Sequence, residues 1–176
     1  MPSRPGAKAS SPRRPPCGPN EAAVLWFRID NRLIHGQVIE SWLPRLEVEA
    51  LVVINDALAR DEMQQAILGL AVPKRVRVYF LDLPQAKDML PDLERQAGAA
   101  LVLLENCTDA LRLFRLGVRM ETLNVGNMHY AQGKKQLCAH IAASEEDLDC
   151  FRSLSRSGVQ LDFRCVPEDA PDLEEW

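Results

Sequence analysis

The chain has 176 residues, a formal net charge of −4 at neutral pH and a hydrophobic fraction of 47%. A chain of this length is in the usual range for one domain and can bury a substantial core. No apolar run approaches the ~20 residues of a membrane-spanning helix, and no signal-peptide core follows the basic start, which argues against a membrane-spanning or secreted protein. The five cysteines are widely spaced and form no CxxC pair, so scattered reduced thiols are favoured over a metal or redox site.

Residues 1–23 differ in composition from the rest of the chain. They hold six of the 12 prolines and carry a net charge of +3, whereas residues 24–176 carry −7. A proline-rich segment with few apolar side chains cannot bury enough surface to offset the entropy lost on ordering, so the composition predicts a disordered tail. A basic arm that contacts lipid or nucleic acid is the alternative, but four basic residues are few for that role, and no nucleic-acid partner is expected.

The first predicted strand, Val24–Phe27, leads into a loop that is rich in charged residues. The strand contains aromatic and β-branched residues, and apolar residues at helical spacing follow from Gln37 to about Leu46. The stretch between them reads Arg28-Ile29-Asp30-Asn31-Arg32-Leu33-Ile34-His35-Gly36-Gln37-Val38. Loops at the carboxyl ends of strands are where open α/β sheets bind ligands, so this stretch is the first candidate site.

His35 and the two arginines of this stretch suit phosphate chemistry. An imidazole of ordinary pKa, about 6.5, is mostly neutral near pH 7 and has one nitrogen free to act as a nucleophile. The guanidinium groups of Arg28 and Arg32 can each donate two hydrogen bonds to a phosphate. The residues alone leave two interpretations open. His35 either accepts and passes on a phosphoryl group, or it is a loop histidine beside solvated arginines.

Strands and helices alternate along the middle of the chain. The predicted strands are Leu51–Ile54, Val76–Leu81 and Ala100–Leu104. The predicted helices run from Asp56 to about Leu70, from Asp82 or Pro84 to about Ala97, and from Asn106 or Thr108 to about Leu116. The first of these helices carries Met63, Ile67 and Leu70 at the spacing of an apolar helix face.

The C-terminal third continues this alternation. The predicted elements are a fifth strand at Thr122–Val125, a loop at Gly126–Tyr130, a sixth strand at Leu137–Ala142, a helix from Ser144 to about Ser157 and a final strand at Gln160–Val166. His140 is expected in the core or at a sheet edge, and Trp26 and Trp42 in the core. The alternation indicates a mostly parallel sheet with helices on both faces.

Residues 28–38 resemble the phosphorylation-site signature of the IIB component of the mannose/sorbose family of the bacterial sugar phosphotransferase system. Further similarities lie at Asn55-Asp56, Pro73, Asn124–Met128, Gly133–Lys135, and from Gly158–Gln160 to Val166-Pro167. The resemblance covers about residues 24–168, which leaves the N-terminal tail and an acidic C-terminal tail at 169–176. It implies a three-layer α/β/α domain whose core strand order is 3-2-4-1-5-6, with an extra edge strand.

The resemblance also implies a function for the charged stretch. His35 would accept a phosphoryl group from the phosphohistidine of a IIA partner and pass it to a sugar held by membrane IIC and IID components. Arg32 would steady that group, and Gly36 would let the backbone pass close to it. Arg28 would either contact the phosphate or form a structural salt link, and Asp30 would orient Arg32 or the imidazole.

Several implications concern the surroundings of the site. Asn127 and His129 are expected beside His35, because the fifth strand of this family lies next to the first. His129 supports the phosphoryl group, is a second acceptor or has no role, with support favoured over acceptance because it lacks flanking arginines. Lys134 and Lys135 either line a docking surface or form a solvated turn. The resemblance implies no cofactor or metal. It places the protein in the cytoplasm, at the periphery of a membrane transporter complex, and leaves a homo-oligomer open. A regulatory IIB-like protein without transport partners is the alternative function.

Deleting residues 1–22 is expected to leave the melting temperature and phosphoryl acceptance unchanged, because the segment lacks core-forming side chains. Thermal unfolding followed by circular dichroism and a labelling assay test this expectation. A fall of several degrees in Tm would show that the tail packs on the domain.

Overall fold

A parallel β-sheet of six strands forms the centre of the protein. The computed structural model describes residues 24–96 and 98–169, so the tail predicted at 1–23 and residues 170–176 of the acidic tail lie outside the described residues. The strands of the sheet are β1 (Val24–Asp30), β2 (Ala50–Ile54), β3 (Arg77–Leu81), β4 (Ala99–Leu104), β5 (Thr122–Asn127) and β8 (Gln160–Asp162), in the order β3-β2-β4-β1-β5-β8. Two short strands, β6 (Lys135–Cys138) and β7 (Ile141–Ala143), form a separate antiparallel hairpin.

Five helical segments and a short 3-10 turn at Leu58–Arg60 lie between the strands in the part of the chain that the structure describes. The five segments are α1, which consists of a π-helical turn at Val38–Trp42 continued by Leu43–Arg45, and the α-helices α2 (Glu62–Leu70), α3 (Leu83–Glu94), α4 (Cys107–Arg115) and α5 (Glu145–Arg156). Asp82, Asn106 and Ser144 cap α3, α4 and α5 through their side chains, as their preference for the N-cap position predicts. Within the described ranges, no helix is both long and apolar enough to cross a membrane.

Apolar side chains cover both faces of the sheet, which produces the three predicted layers. On β4, Val102 and Leu104 pack into the cluster beneath α3, α4 and α5, whereas Leu101 and Leu103 pack into the cluster beneath α1. Every residue of β4 is buried, as expected for a central parallel strand. The predicted three-layer α/β/α architecture is confirmed, and so is the order 3-2-4-1-5-6 once β8 is counted as its sixth member.

The segment predicted as the sixth strand folds differently. Residues 137–142 do not form one strand, because a turn at Ala139 and His140 reverses the chain and pairs β6 with β7. His140 therefore lies exposed at a hairpin turn, so its predicted place in the core or at a sheet edge is wrong. Two-residue connections of this kind are the commonest way to join antiparallel strands. Trp42 is buried as predicted, whereas Trp26, with 37% of its surface exposed, is not.

Helix α2 begins later than predicted and presents the three apolar residues of the predicted helix face to solvent, whereas its Leu68 packs against the core. The Asn55 side chain accepts a hydrogen bond from the Leu58 amide and closes a short 3-10 turn, so Asp61 rather than Asp56 caps the helix. The exposed fractions of its apolar side chains are 74% for Met63, 54% for Ile67 and 88% for Leu70. Their helical spacing was identified correctly, but the side of the helix that carries them faces away from the core.

Two leucine substitutions test this distribution of burial. Leu103→Ala should lower the free energy of unfolding by about 2–5 kcal/mol, because Leu103 is fully buried in β4. Leu70→Gln, the control on the outer side of α2, should change it by less than about 0.5 kcal/mol. Urea unfolding measures both, and a large loss for Leu70→Gln would show that this side of α2 is covered in solution.

Candidate functional site

The carboxylate of Asp30 is the centre of the candidate site. Asp30 is the last residue of β1 and is fully buried. Its Oδ2 lies 2.8 Å from Nη2 of Arg28 and 2.8 Å from Nε2 of His35. Its Oδ1 accepts a hydrogen bond from the backbone N–H of Arg32 at 3.2 Å and lies 3.4 Å from Nε of the same residue. One buried side chain thus contacts both arginines and the histidine of the sequence motif.

A tight turn brings His35 back over the end of β1. The amide of Leu33 donates to the carbonyl of Asp30 at 2.9 Å, and Leu33 has a positive φ of 54°, which lets the chain reverse direction. The carbonyl of His35 then accepts the hydrogen bond from the amide of Ile39 that opens α1. His35 is therefore held between a turn and a helix start, and 15% of its side chain is exposed.

The contact with Asp30 determines which nitrogen of His35 is free. An ionised carboxylate can only accept hydrogen bonds, so Nε2 of His35 must carry the proton in this contact. In a neutral imidazole the other nitrogen, Nδ1, then has no proton and keeps its lone pair. Nδ1 is therefore the ring nitrogen whose lone pair is available to a ligand.

The charges around Asp30 stabilise its ionised form. Burial alone would raise the pKa of Asp30, but the hydrogen bond from His35 and the positive charge of Arg28 outweigh burial and hold that pKa below its ordinary value. Burial lowers the pKa of Arg28, and the adjacent carboxylate of Asp30 opposes this effect. The pair is therefore a buried guanidinium–carboxylate contact in which each charge depends on the other.

Arg28 lies inside the protein and not in the loop predicted from the sequence. It belongs to β1, and its guanidinium donates to the Asn124 side chain and, at 3.1 Å, to the carbonyl of Cys165. Its central carbon lies 4.8 Å from the centroid of the Trp42 ring, close enough for a cation–π contact. Of the two predicted roles for Arg28, the salt link is present, and contact with a phosphate stays a prediction.

Gly126 on β5 provides the space for that guanidinium. A Cβ atom added at Gly126 would lie 1.9 Å from the guanidinium carbon of Arg28, far inside van der Waals contact. The absence of a side chain at this position is therefore required for the buried salt link. Neither the need for glycine here nor the contact with Cys165 was predicted, although Asn124 and Gly126 belong to a segment that supported the family resemblance.

The other predicted site residues differ in their exposure and in their hydrogen-bond partners. Arg32 keeps 34% of its side chain exposed and donates through Nη2 to Oε1 of Gln37 at 2.7 Å. Asn127 lies beside the turn, where its side chain donates to that of Asn31 at 2.6 Å. Gly36 faces open space. His129 is exposed and makes no hydrogen bond or ion pair with any residue in 24–96 or 98–169.

The two lysines predicted near a docking surface also differ from each other. Lys134 is partly buried and forms an ion pair with Asp147 at the start of α5, whereas Lys135 is exposed.

The described cysteines, which are Cys107, Cys138, Cys150 and Cys165, carry free thiols, and Cys17 lies outside the described residues.

Gly126→Ala is expected to lower the free energy of unfolding by about 3 kcal/mol, because the new methyl group displaces the Arg28 guanidinium and leaves a buried charge without its partner. Gly69→Ala on α2 is the matched control, since a Cβ there meets no atom within 4 Å. Urea unfolding of both variants measures the difference. Equal stability of the two would contradict the proposed need for glycine at residue 126.

Comparison with known proteins places this chain in a family. The family profile described as "PTS system sorbose subfamily IIB component" matches residues 24–175. The sorbose-specific EIIB component of Klebsiella pneumoniae is 35% identical over 146 residues, which are 83% of this chain and 89% of that protein. The crystal structure of the IIBSor domain of the sorbose permease from Klebsiella pneumoniae superposes with a TM-score of 0.77 at 34% identity, and covers 84% of this chain and 91% of that one.

A longer relative shows how this domain can occur within a larger protein. The mannose-specific EIIAB component of Escherichia coli is 32% identical over 163 residues, which are 92% of this chain. The chain spans only 50% of the length of that relative. The profile match over most of the sequence and identities above 30% show that this chain belongs to the sorbose-subfamily IIB components of the phosphotransferase system.

Proposed function

We propose that this protein is a phosphocarrier whose phosphorylation site is Nδ1 of His35. It accepts a phosphoryl group from the phosphohistidine of a IIA partner and passes the group to a sugar held by membrane IIC and IID components. The observation that carries this proposal is the hydrogen bond of 2.8 Å between Nε2 of His35 and the buried carboxylate of Asp30. This contact leaves the lone pair of Nδ1 available for attack on phosphorus.

The transfer exchanges one phosphorus–nitrogen bond for another. The lone pair of Nδ1 attacks the phosphorus atom, and the electron pair of the breaking bond returns to the imidazole of the donor. His35 becomes positively charged as the new bond forms, while its Nε2–H continues to donate to Asp30. The negative charge of Asp30, maintained by Arg28, stabilises that positive charge where it develops. In the second transfer a sugar hydroxyl attacks the phosphorus and releases its proton to the surrounding water, while the electron pair of the P–Nδ1 bond returns to His35 and restores the neutral imidazole.

Arg32 supplies the positive charge on the outer side of the site. Its side chain is partly exposed, and its Nε lies near Oδ1 of Asp30, so the guanidinium stays close to His35. Phosphoryl transfer depends largely on positioning and on stabilising the charge of the transferred group. Arg32 is suited to this role because a guanidinium can donate two hydrogen bonds to one phosphoryl group.

The proposed partners follow from the family and from the chemistry of the site. A relative named EIIAB indicates that IIA and IIB functions can occur in one chain, which supports a IIA protein as the phosphoryl donor. The alternative function is regulatory, with the same phosphorylation but without transport. Genes for IIC and IID components beside the gene of this protein would favour transport, and their absence from the genome would favour regulation.

His35→Ala is expected to abolish phosphoryl acceptance from a phosphorylated IIA protein of a mannose-family system, because the variant lacks the attacking nitrogen. The label on the wild type should be acid-labile, as a phosphorus–nitrogen bond is. Mass spectrometry of intact protein and of peptides, before and after acid treatment, measures both results.

His129→Ala is the matched control, since the exposed His129 makes no contact with His35. This variant should still become labelled on His35. Full labelling of His35→Ala, or label found on His129 in the wild type, would contradict the proposed assignment.

A further inference from the structure

We infer that Gln37 is a positioning residue that holds the guanidinium of Arg32 in place for phosphoryl transfer. This inference rests on the proposed function and extends it to a side chain that does not itself react. Its basis is the hydrogen bond of 2.7 Å from Nη2 of Arg32 to Oε1 of Gln37, two residues after His35 in the chain.

Two acceptors hold the guanidinium of Arg32 at different atoms. Asp30 lies 3.4 Å from Nε through Oδ1, and Gln37 binds Nη2 through Oε1. Nη1 of Arg32 has no hydrogen-bond partner among the residues that the structure describes. The guanidinium is thus held on the side of Nε and Nη2, and its remaining N–H groups are free to donate hydrogen bonds to a phosphoryl group.

A second donor fixes the orientation of the Gln37 amide. The thiol of Cys165 lies 3.6 Å from the same Oε1 atom and donates to it. Burial raises the pKa of the Cys165 thiol, so the group keeps the proton that it donates. The carbonyl of Cys165 in turn accepts hydrogen bonds from Arg28 and from the indole N–H of Trp42 at 3.0 Å. Gln37 is therefore anchored to the same buried network that holds Asp30.

The neutral charge of Gln37 matters as much as its position. Asp30 already neutralises Arg28 and lies beside Arg32, so a second carboxylate on Arg32 would cancel the charge that the phosphoryl group needs. An amide oxygen holds the guanidinium without adding a negative charge. Gln37→Met and Gln37→Glu should consequently impair the protein in different ways.

The experiment measures single-turnover phosphoryl transfer from a phosphorylated IIA protein to the full-length chain, together with NMR of the arginine side chains. Gln37→Met keeps the side-chain length but removes the acceptor. It should slow transfer roughly ten-fold, the size expected for loss of one charge-assisted hydrogen bond, and leave the donor concentration for half-maximal rate unchanged. The Arg32 side-chain N–H signals should broaden as rotation of the guanidinium becomes faster. Gln37→Glu should slow transfer while keeping those signals sharp.

A double-mutant comparison separates positioning from a structural role. In an Arg32→Ala background, Gln37→Met should cause no further loss of rate, because its effect acts through Arg32. Gln64→Met on the exposed part of α2 is the matched control and should match the wild type. An additive loss in the double variant, or an unchanged rate in Gln37→Met, would overturn the inference.

The two readouts distinguish failure of this inference from failure of the proposed function. A wild-type protein that accepts no phosphoryl group would refute the function. The Arg32 signals would then decide the role of Gln37 alone, since sharp signals in Gln37→Met overturn positioning and broadened signals support it.

Discussion

The buried ion pair between Arg28 and Asp30 is the interaction on which the site depends. Removing two charges from water costs several kcal/mol per ion, and only close contacts with good geometry offset that cost. Here the offset comes from the 2.8 Å contact between the two charges, from Asn124 and the Cys165 carbonyl, and from the hydrogen bond of His35. The histidine is therefore part of the arrangement that makes the buried carboxylate tolerable, and its orientation follows from the fold.

The same interaction explains why distant segments meet at the site. Gly126 on β5 leaves room for the guanidinium, Trp42 on α1 lies over it, and Cys165 beyond β8 accepts its hydrogen bond. The strand order brings Gly126 and Cys165 to this point, because β5 pairs with β1 and β8 pairs with β5, whereas Trp42 lies on the helix that follows β1 in the chain. Substitutions at any of these three residues are therefore expected to disturb His35 indirectly, through Arg28 and Asp30.

Much of the fold could be predicted because local sequence patterns determine where its strands and helices lie. N-cap residues and apolar strands marked the central elements, and the motif around His35 indicated the family and therefore the strand order. The errors occurred where contacts between distant segments determine which side chains are buried. Arg28 reads as an exposed loop residue until its partners Asn124 and Cys165 are known, and the apolar spacing of α2 does not reveal which side faces the core. Gln37 was read only as a helix start, because its contact with Arg32 depends on the turn at Leu33.

The charged groups of the site fall into a buried set and a partly exposed set, and Asp30 belongs to both. Asp30 contacts Arg28 inside the protein and Arg32 outside it, so removing its charge would affect both stability and transfer. Loss of the carboxylate leaves Arg28 buried without a counter-charge, a change that typically costs 3–5 kcal/mol. Arg32 and Gln37 lie on the outer side, where the partly exposed Arg32 contributes little to folding. Variants at these two positions can therefore test the proposed phosphoryl transfer with the fold intact, whereas variants of Asp30 cannot separate an effect on that transfer from an effect on folding.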